Sequence, residues 1–434
     1  MPEIPLRIAY VSQIRWPSEI PAGPFNANYV TSMARAGAEV HLIVRSSLHP
    51  RAKQYSDPLD VLQKEYGHTP PPGLRIHVIP TAGWRPASDP YLFFVRAGNL
   101  LKKLQREQGV NAVMSRDTRA LPHLVRWRKA GLVAVHDTHN FYMDLSARDD
   151  TGRETRWKEY SRFENKCLPK LDGLIPLLDV QAQWYQKYLT GTGTGTGPCL
   201  LASADNPGVA GPCLLASADN PGVAIRAIHP GLNATTPPNP ERFGRRTIGY
   251  VGTLTGIKGS MDVLEAFRDL QMNDVRLLLI GGRGTQETDA MRARIESLGM
   301  TDVAEVTGWL PVPELLKHLR TVSVALLPLT DTFYNRYLTA PSKLFDYLSQ
   351  AVPVIASDLP AVRELAGDAA LYVKPGDRAD LTAAMSRLLE DRERYDQLAD
   401  AAYRQAKTLH WDRRGEGTVA FLSELLARAR RSSS

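Results

Sequence analysis

Cysteine is nearly absent from this sequence. Only Cys167, Cys199 and Cys213 occur in 434 residues, and they form neither a metal-ligand spacing nor a disulfide framework. That pattern points to a reducing, cytoplasmic compartment. Long apolar runs are also missing, since no stretch approaches the ~18–20 residues that span a bilayer. The opening MPEIPLRIAYVSQ lacks the charged-then-apolar order of a secretory leader, and Leu6–Val11 reads as a first strand. Neither a Walker A loop nor the G-x-G-x-x-G fingerprint is present, and the C-terminal half has no Asp-x-Asp pair. With 43% hydrophobic and 23% charged residues, the composition excludes disordered, collagenous and disulfide-scaffold proteins. At about 100–200 residues per domain the length allows two or three domains. The net charge of +7 suits an anionic ligand, although an arginine-rich composition gives the same number; no nucleic-acid partner is expected.

What is present is alternation. LRIAYVS, a small-residue loop Pro21–Pro24, a helical stretch and the strand Val40–Val44 follow within one short span, the pattern of a parallel crossover unit. Leu74–Ile79, Ala112–Ser115 and Leu132–His136 are further strands, with helices over Leu92–Gln105 and Trp157–Leu168. The rhythm breaks at 190–224, where Thr and Gly alternate and the fourteen-residue unit GPCLLASADNPGVA appears twice in tandem. A perfect duplication reads as a passive surface insertion. The Pro- and Asn-rich stretch within 231–246 reads as a linker. Strands then resume at Thr247–Val251, Val275–Ile280, Glu305–Thr307, Val322–Leu327, Val352–Ala356 and Ala370–Val373. The expected architecture is α/β: two Rossmann-like parallel-sheet domains, 1–230 and 247–409, facing each other across a ligand cleft. A final helix in 410–434 is expected to return to the first domain.

Three segments carry chemistry. In Thr339-Ala340-Pro341-Ser342-Lys343-Leu344-Phe345-Asp346, Pro341 suits a helix's first turn. The unpaired amides there, with the helix dipole and Lys343, form an anion site. Asp346 follows Ser342 by four residues, so it lies one turn on along the same face, placed for the two hydroxyls of a ribose. Taken alone, the segment reads rather as a plain capped helix with a solvated Asp. Gly249–Gly259 runs from a strand through glycines to Lys258 and a helix, offering amides and a cation to phosphate. Leu278–Gly284 is another strand ending in glycines, which by itself is only a tight turn.

With these residues in view, the C-terminal half resembles a retaining glycosyltransferase of family 4, of GT-B architecture. The matching runs are GYVGTLTGIKGSMDVLEAF, VRLLLIGGRG, VTGWLPVPELLKHL, VSVALLPL and YLTAPSKLFDYLSQAVPVIASDLPAVREL. The resemblance implies that Lys258 and Lys343 serve the donor diphosphate, with Gly252, Thr253 and the backbone of Thr339, Ala340, Pro341, Ser342 and Leu344 around it. Asp346 stands where the family usually has the second Glu of a Glu, seven residues, Glu pair, and would bind the ribose; Gly282 and Trp309 would border the base. In the N-terminal half Gly23-Pro24 resembles the family's glycine loop, and Asp137-Thr138-His139 its acidic-x-His, which sets His139 against the transferred sugar. Two departures stand out: Leu338 occupies the first Glu position, and Thr253 stands where an Arg often accompanies the Lys, so that Arg336 or Lys343 would have to substitute.

The implied function is transfer of a sugar from a nucleoside-diphosphate sugar to a glycan or lipid-linked acceptor in polysaccharide synthesis, without metal or other cofactor. Rival readings are a GT-B sugar-nucleotide epimerase, a silent GT-B domain that binds a partner, and a zinc hydrolase built on His136, Asp137, His139 and Asp144. The last is disfavoured because residues at a strand end alternate sides. Leu92–Lys103, with Arg126, Arg128 and Lys129, is apolar and basic. It reads as a core-packed helix with a basic edge, or as a weak peripheral contact with the inner membrane face.

Overall fold

The computed structural model describes residues 5–18, 20–47, 54–80, 89–147, 154–189, 222–254, 259–282 and 284–431. The chain forms two units, one of residues 1–147, 151–230 and 411–434, the other of 148–150 and 231–410. In the first, strands and helices alternate as β1 (Arg7–Trp16), α1 (Ala22–Arg35), β2 (Glu39–Ser46), α2 (Pro58–Tyr66), β3 (Leu74–Ile79), α3 (Asp89–Gln108) and β4 (Ala112–Ser115). They continue as α4 (Leu121–Lys129), β5 (Val133–Thr138), α5 (Glu154–Cys167), β6 (Gly173–Pro176), α6 (Asp179–Leu189) and β7 (Ala224–Ile225). The second unit holds β8 (Thr247–Val251), α7 (Ser260–Leu270), β9 (Arg276–Ile280), α8 (Thr285–Ser297), β10 (Ala304–Gly308), α9 (Val312–Leu319) and β11 (Val324–Leu327). After these come α10 (Phe333–Tyr337), α11 (Ser342–Ser349), β12 (Val354–Ser357), α12 (Pro360–Ala366), β13 (Ala370–Val373), α13 (Arg378–Glu390) and α14 (Arg392–Thr408). The last helix, α15 (Trp411–Arg431), belongs to the first unit.

Both sheets are parallel and doubly wound. The first runs β3-β2-β1-β4-β5-β6-β7 and the second β10-β9-β8-β11-β12-β13, each reversing direction beside its first strand. In such sheets ligands bind beyond the carboxyl ends of the strands at that reversal, which directs attention to the ends of β1, β4 and β5 and of β8, β9 and β11. The strands are buried on both faces, as in β4 and β12, where every residue is buried. Their helices lie against them through stripes such as Val263, Leu264 and Phe267 of α7.

Three sequence expectations look different in the structure. First, residues 231–246, read as a linker, pack onto the second unit: Leu232 bridges to His410, and Arg242 is buried with its guanidinium donating to the carbonyls of Gln350 and Ala351. Second, the tandem repeat is not wholly passive. Most of it lies outside the described residues, but Val223 and Ala224 are buried and Ala224 pairs with Gly173, so the last residues of the second copy form an edge strand. Third, β1 extends to Trp16 rather than Val11, through an irregularity between Val11 and Arg15.

Candidate functional site

In the second unit, glycines at the ends of three adjacent strands are tied together. Gly252 donates to the Ile280 carbonyl at 2.9 Å, Gly282 to the Gly252 carbonyl at 3.1 Å, and Gly281 to the Gly308 carbonyl at 2.9 Å. A Cβ on Gly281 would lie 2.1 Å from the Gly252 carbonyl oxygen, and both Gly281 (φ 129°) and Gly282 (φ 110°) adopt backbone that L side chains rarely take. These turns therefore bring bare main chain to the sheet edge.

Helix α11 is locked beside them. The Tyr347 hydroxyl accepts from the Val251 amide at 2.9 Å and donates to the Leu326 carbonyl at 3.1 Å, fastening the helix to β8 and β11. Leu344 faces the core, with Thr339 and Pro341 buried ahead of it and Ser342 exposed. The helix starts at Pro341 without a side-chain cap; the Leu344 amide donates back to the Pro341 carbonyl at 2.9 Å, and the amides of Ser342 and Lys343 stand at the positive end of the dipole. The Lys343 ammonium lies 4.2 Å from the Tyr250 ring centroid, and a Cβ on Gly252 would come 2.9 Å from it. Cation, glycine turn and helix start thus come together. Thr253 lies in the same turn with its hydroxyl oxygen buried and without a hydrogen-bond partner among the described residues. One turn along, burial pushes the Asp346 carboxyl up to about 7.

Other expected site residues fall differently. Leu338 is fully buried in the core, so no polar reader of a sugar stands there. Arg336 is engaged by Asp331 in a two-pronged ion pair, whereas Lys343 lies at the Gly252 turn. Lys258 lies outside the described residues. Trp309, 74% exposed just beyond β10, follows Gly308 at the glycine-bearing edge. The anchoring role of Tyr347 escaped the sequence reading, because an aromatic within an apolar run looks like core until its hydroxyl's partner is known.

The first unit presents its own cluster at the sheet edge. Gly23 sits in the first turn of α1, where a Cβ would fall 2.3 Å from the Ser18 carbonyl oxygen and 2.8 Å from the Tyr66 hydroxyl, so glycine is required; Pro24 is exposed beside it. Asp137, near the end of β5, is fully buried and pairs at 2.8 Å with Arg414 of α15, also fully buried. His139 follows directly; burial, then Arg116 and His136, hold its imidazole well below the ordinary value, so it is neutral at neutral pH. Three residues of the zinc reading have other partners. His136 hydrogen-bonds through Nδ1 to the Ser115 carbonyl, Asp137 is held by Arg414, and Asp144 accepts from the Ser146 amide and Tyr188.

The two parallel-sheet α/β units are those of the GT-B glycosyltransferase fold, and solved structures share it. Sucrose-phosphate synthase from Thermosynechococcus elongatus superposes with a TM-score of 0.66 at 16% identity, covering 99% of this chain and 100% of that one. Anabaena HepE in complex with UDP-glucose gives 0.59 at 14% identity, covering 98% and 100%. Within the second unit, residues 245–391 match the family model described as glycosyl transferases group 1. Among curated relatives, the MMP alpha-(1->4)-mannosyltransferase of Mycolicibacterium hassiacum is 26% identical over 196 residues, 44% of this chain and 46% of that protein. The D-inositol 3-phosphate glycosyltransferase of Acidothermus cellulolyticus is 26% identical over 231 residues, 48% and 49% of the two chains. The aligned stretch thus spans about half the length of these curated relatives.

Proposed function

We propose that the protein is a retaining glycosyltransferase, moving a sugar from a nucleoside-diphosphate sugar to a glycan or lipid-linked acceptor. The observation that carries this reading is the convergence of the Gly252 turn, Lys343 and the uncapped start of α11, with Asp346 one turn further on. The family match of this unit and the UDP-glucose complex of HepE support a nucleotide-sugar donor. As the glycosidic bond to phosphate breaks, negative charge grows on the leaving diphosphate. Fixed amides, the helix dipole and Lys343 stabilise it where it develops, each such donor being worth roughly 3–4 kcal/mol. On a same-face route the leaving phosphate takes the acceptor's proton, so no carboxylate nucleophile is required. His139 would meet the transferred sugar as a neutral hydrogen-bonding group.

Thermal shift tests the donor half. A ligand present at 100 times its Kd adds about 2.7 kcal/mol to the folded state. UDP or GDP is therefore expected to raise the melting temperature by several degrees, with the rise much reduced in Lys343→Met. No rise with any nucleoside diphosphate overturns the reading.

We further propose that the α3–α4 face rests on anionic lipid. Tyr91 is 67% exposed, and a cavity of about 330 Å³ is lined by Val95, Lys102, Arg126, Trp127 and Lys129. No helix among the described residues is long and apolar enough to cross a membrane. Each basic residue near such a surface is worth about 1 kcal/mol, so reversing Lys102, Arg126 and Lys129 to Glu should weaken binding to phosphatidylserine vesicles at least ~100-fold. Sedimentation that is indifferent to the reversal excludes the contact.

A further inference from the structure

The loop after β5 is held by more polar groups than its packing needs. Three side chains converge on the Asn140 carbonyl: Thr138 Oγ1 at 2.8 Å, Gln181 Nε2 at 3.0 Å and the Tyr185 hydroxyl. The two hydroxyls also lie 2.7 Å from each other, and Tyr185 reaches Glu164 at 3.2 Å. Each hydroxyl has one proton, so these are shared among the Asn140 carbonyl, the partner hydroxyl and the Glu164 carboxylate. Glu164 also accepts from the Tyr142 amide at 2.6 Å, and Gln181 accepts from the Leu177 amide at 2.9 Å, which fixes the orientation of its amide group. Glu164, Gln181 and Tyr185 are all essentially inaccessible to solvent.

Burying a carboxylate, an amide and a phenol costs free energy that an apolar trio of the same volume would avoid. What the network secures is geometry, because a satisfied buried polar network specifies one arrangement. The segment so fixed, Thr138 to Tyr142, contains His139. The other side of the same strand end is pinned by the buried Asp137–Arg414 pair.

We propose that Tyr185, Gln181 and Glu164 are positioning residues for the transfer reaction, holding the His139 peptide in one geometry through the Asn140 carbonyl and the Tyr142 amide. This rests on the reading that His139 meets the transferred sugar. Mispositioning a reacting group by a fraction of an ångström to an ångström costs of order tenfold to a hundredfold in rate.

The test pairs a spectroscopic readout with kinetics on the full chain. The His139 imidazole resonance, assigned against His139→Gln, is expected to be single and sharp in the parent, and shifted or broadened in Tyr185→Phe and Gln181→Met while both stay folded. An unmoved resonance in both variants overturns the proposal. Turnover is followed as nucleoside diphosphate released from UDP-glucose or GDP-mannose, whichever is consumed. Tyr185→Phe should lower kcat about tenfold with the donor KM unchanged, and should have less than about a twofold effect in the His139→Gln background. Equal losses in both backgrounds overturn it, because the hydroxyl would then act by another route. If His139→Gln itself keeps the parent kcat, the assignment of His139 to the reaction fails, while the resonance still decides whether the network sets its geometry.

Discussion

Asp346→Asn is expected to raise the melting temperature of the ligand-free protein at pH 8, to leave it unchanged near pH 4, and to weaken nucleotide binding. Burial moves the carboxyl from its ordinary 3.8 to about 7. Between those values the folded state holds a proton that the unfolded chain has lost, so stability falls as pH rises through the window and the whole penalty is present above 7. The full displacement corresponds to about 4 kcal/mol at 1.36 kcal/mol per pH unit. The residue is not sealed from solvent, and about 2 kcal/mol is the better expectation once relaxation and water are allowed for. For a unit of this size that is roughly 4–8 °C. On the proposed reading, a carboxylate kept at such cost serves a ligand with two hydroxyls to donate. Binding should favour the ionised form, so UDP affinity should rise with pH through about 7. The substitution should remove that pH dependence together with roughly 1.5–3 kcal/mol of binding, the worth of hydrogen bonds to a charged acceptor. Calorimetry and UDP titration at pH 5 and 8 check both halves. Equal melting at pH 8, or undiminished affinity, refutes this account of Asp346.

Much of this was legible in the sequence, for identifiable reasons. Strands such as Ala112–Ser115 and Thr247–Val251 announce themselves as short apolar runs bounded by loop residues, the signature of a sheet buried on both faces. The placement of Asp346 followed from helical spacing, a local property. What escaped was non-local or atypical. Gly173–Pro176 carries Gly and Pro, and Ala224–Ile225 has two residues, so neither resembles a strand until a neighbour pairs with it. Residues 231–246 have a linker's composition, but whether Arg242 is buried depends on Gln350 and Ala351, more than a hundred residues away. Arg336 looked like an available cation because no spacing rule pairs it with Asp331 across five residues. Positions set by period were readable; partners set by topology were not.

One such partnership joins residues 277 apart, and Arg414→Met is expected to cost the first unit about 3–5 kcal/mol, the range for breaking a buried ion pair by removing one partner. Arg414 and Asp137 have no solvent-exposed side-chain surface, and the guanidinium also donates to the Ile228 carbonyl and stacks 4.4 Å from the Tyr29 ring centroid. Asp137 already has one carboxylate oxygen without a hydrogen-bond partner among the described residues, so losing Arg414 would strand a charge that water cannot reach. The melting temperature of this unit should fall by roughly ten degrees. The companion change separates charge from packing. Asp137→Asn combined with Arg414→Met leaves no unpaired charge and should recover at least half of the loss, since buried pairs replaced on both sides by neutral groups are often tolerated. Calorimetry of the two single variants and the double supplies the cycle. If Arg414→Met costs less than about 1 kcal/mol, or the double variant is merely the sum of the singles, the pair is not what fastens α15 to the end of β5. The attachment would then rest on helix packing, where Gly415 lies so close to α1 that a Cβ would come 2.4 Å from the Ser32 carbonyl carbon.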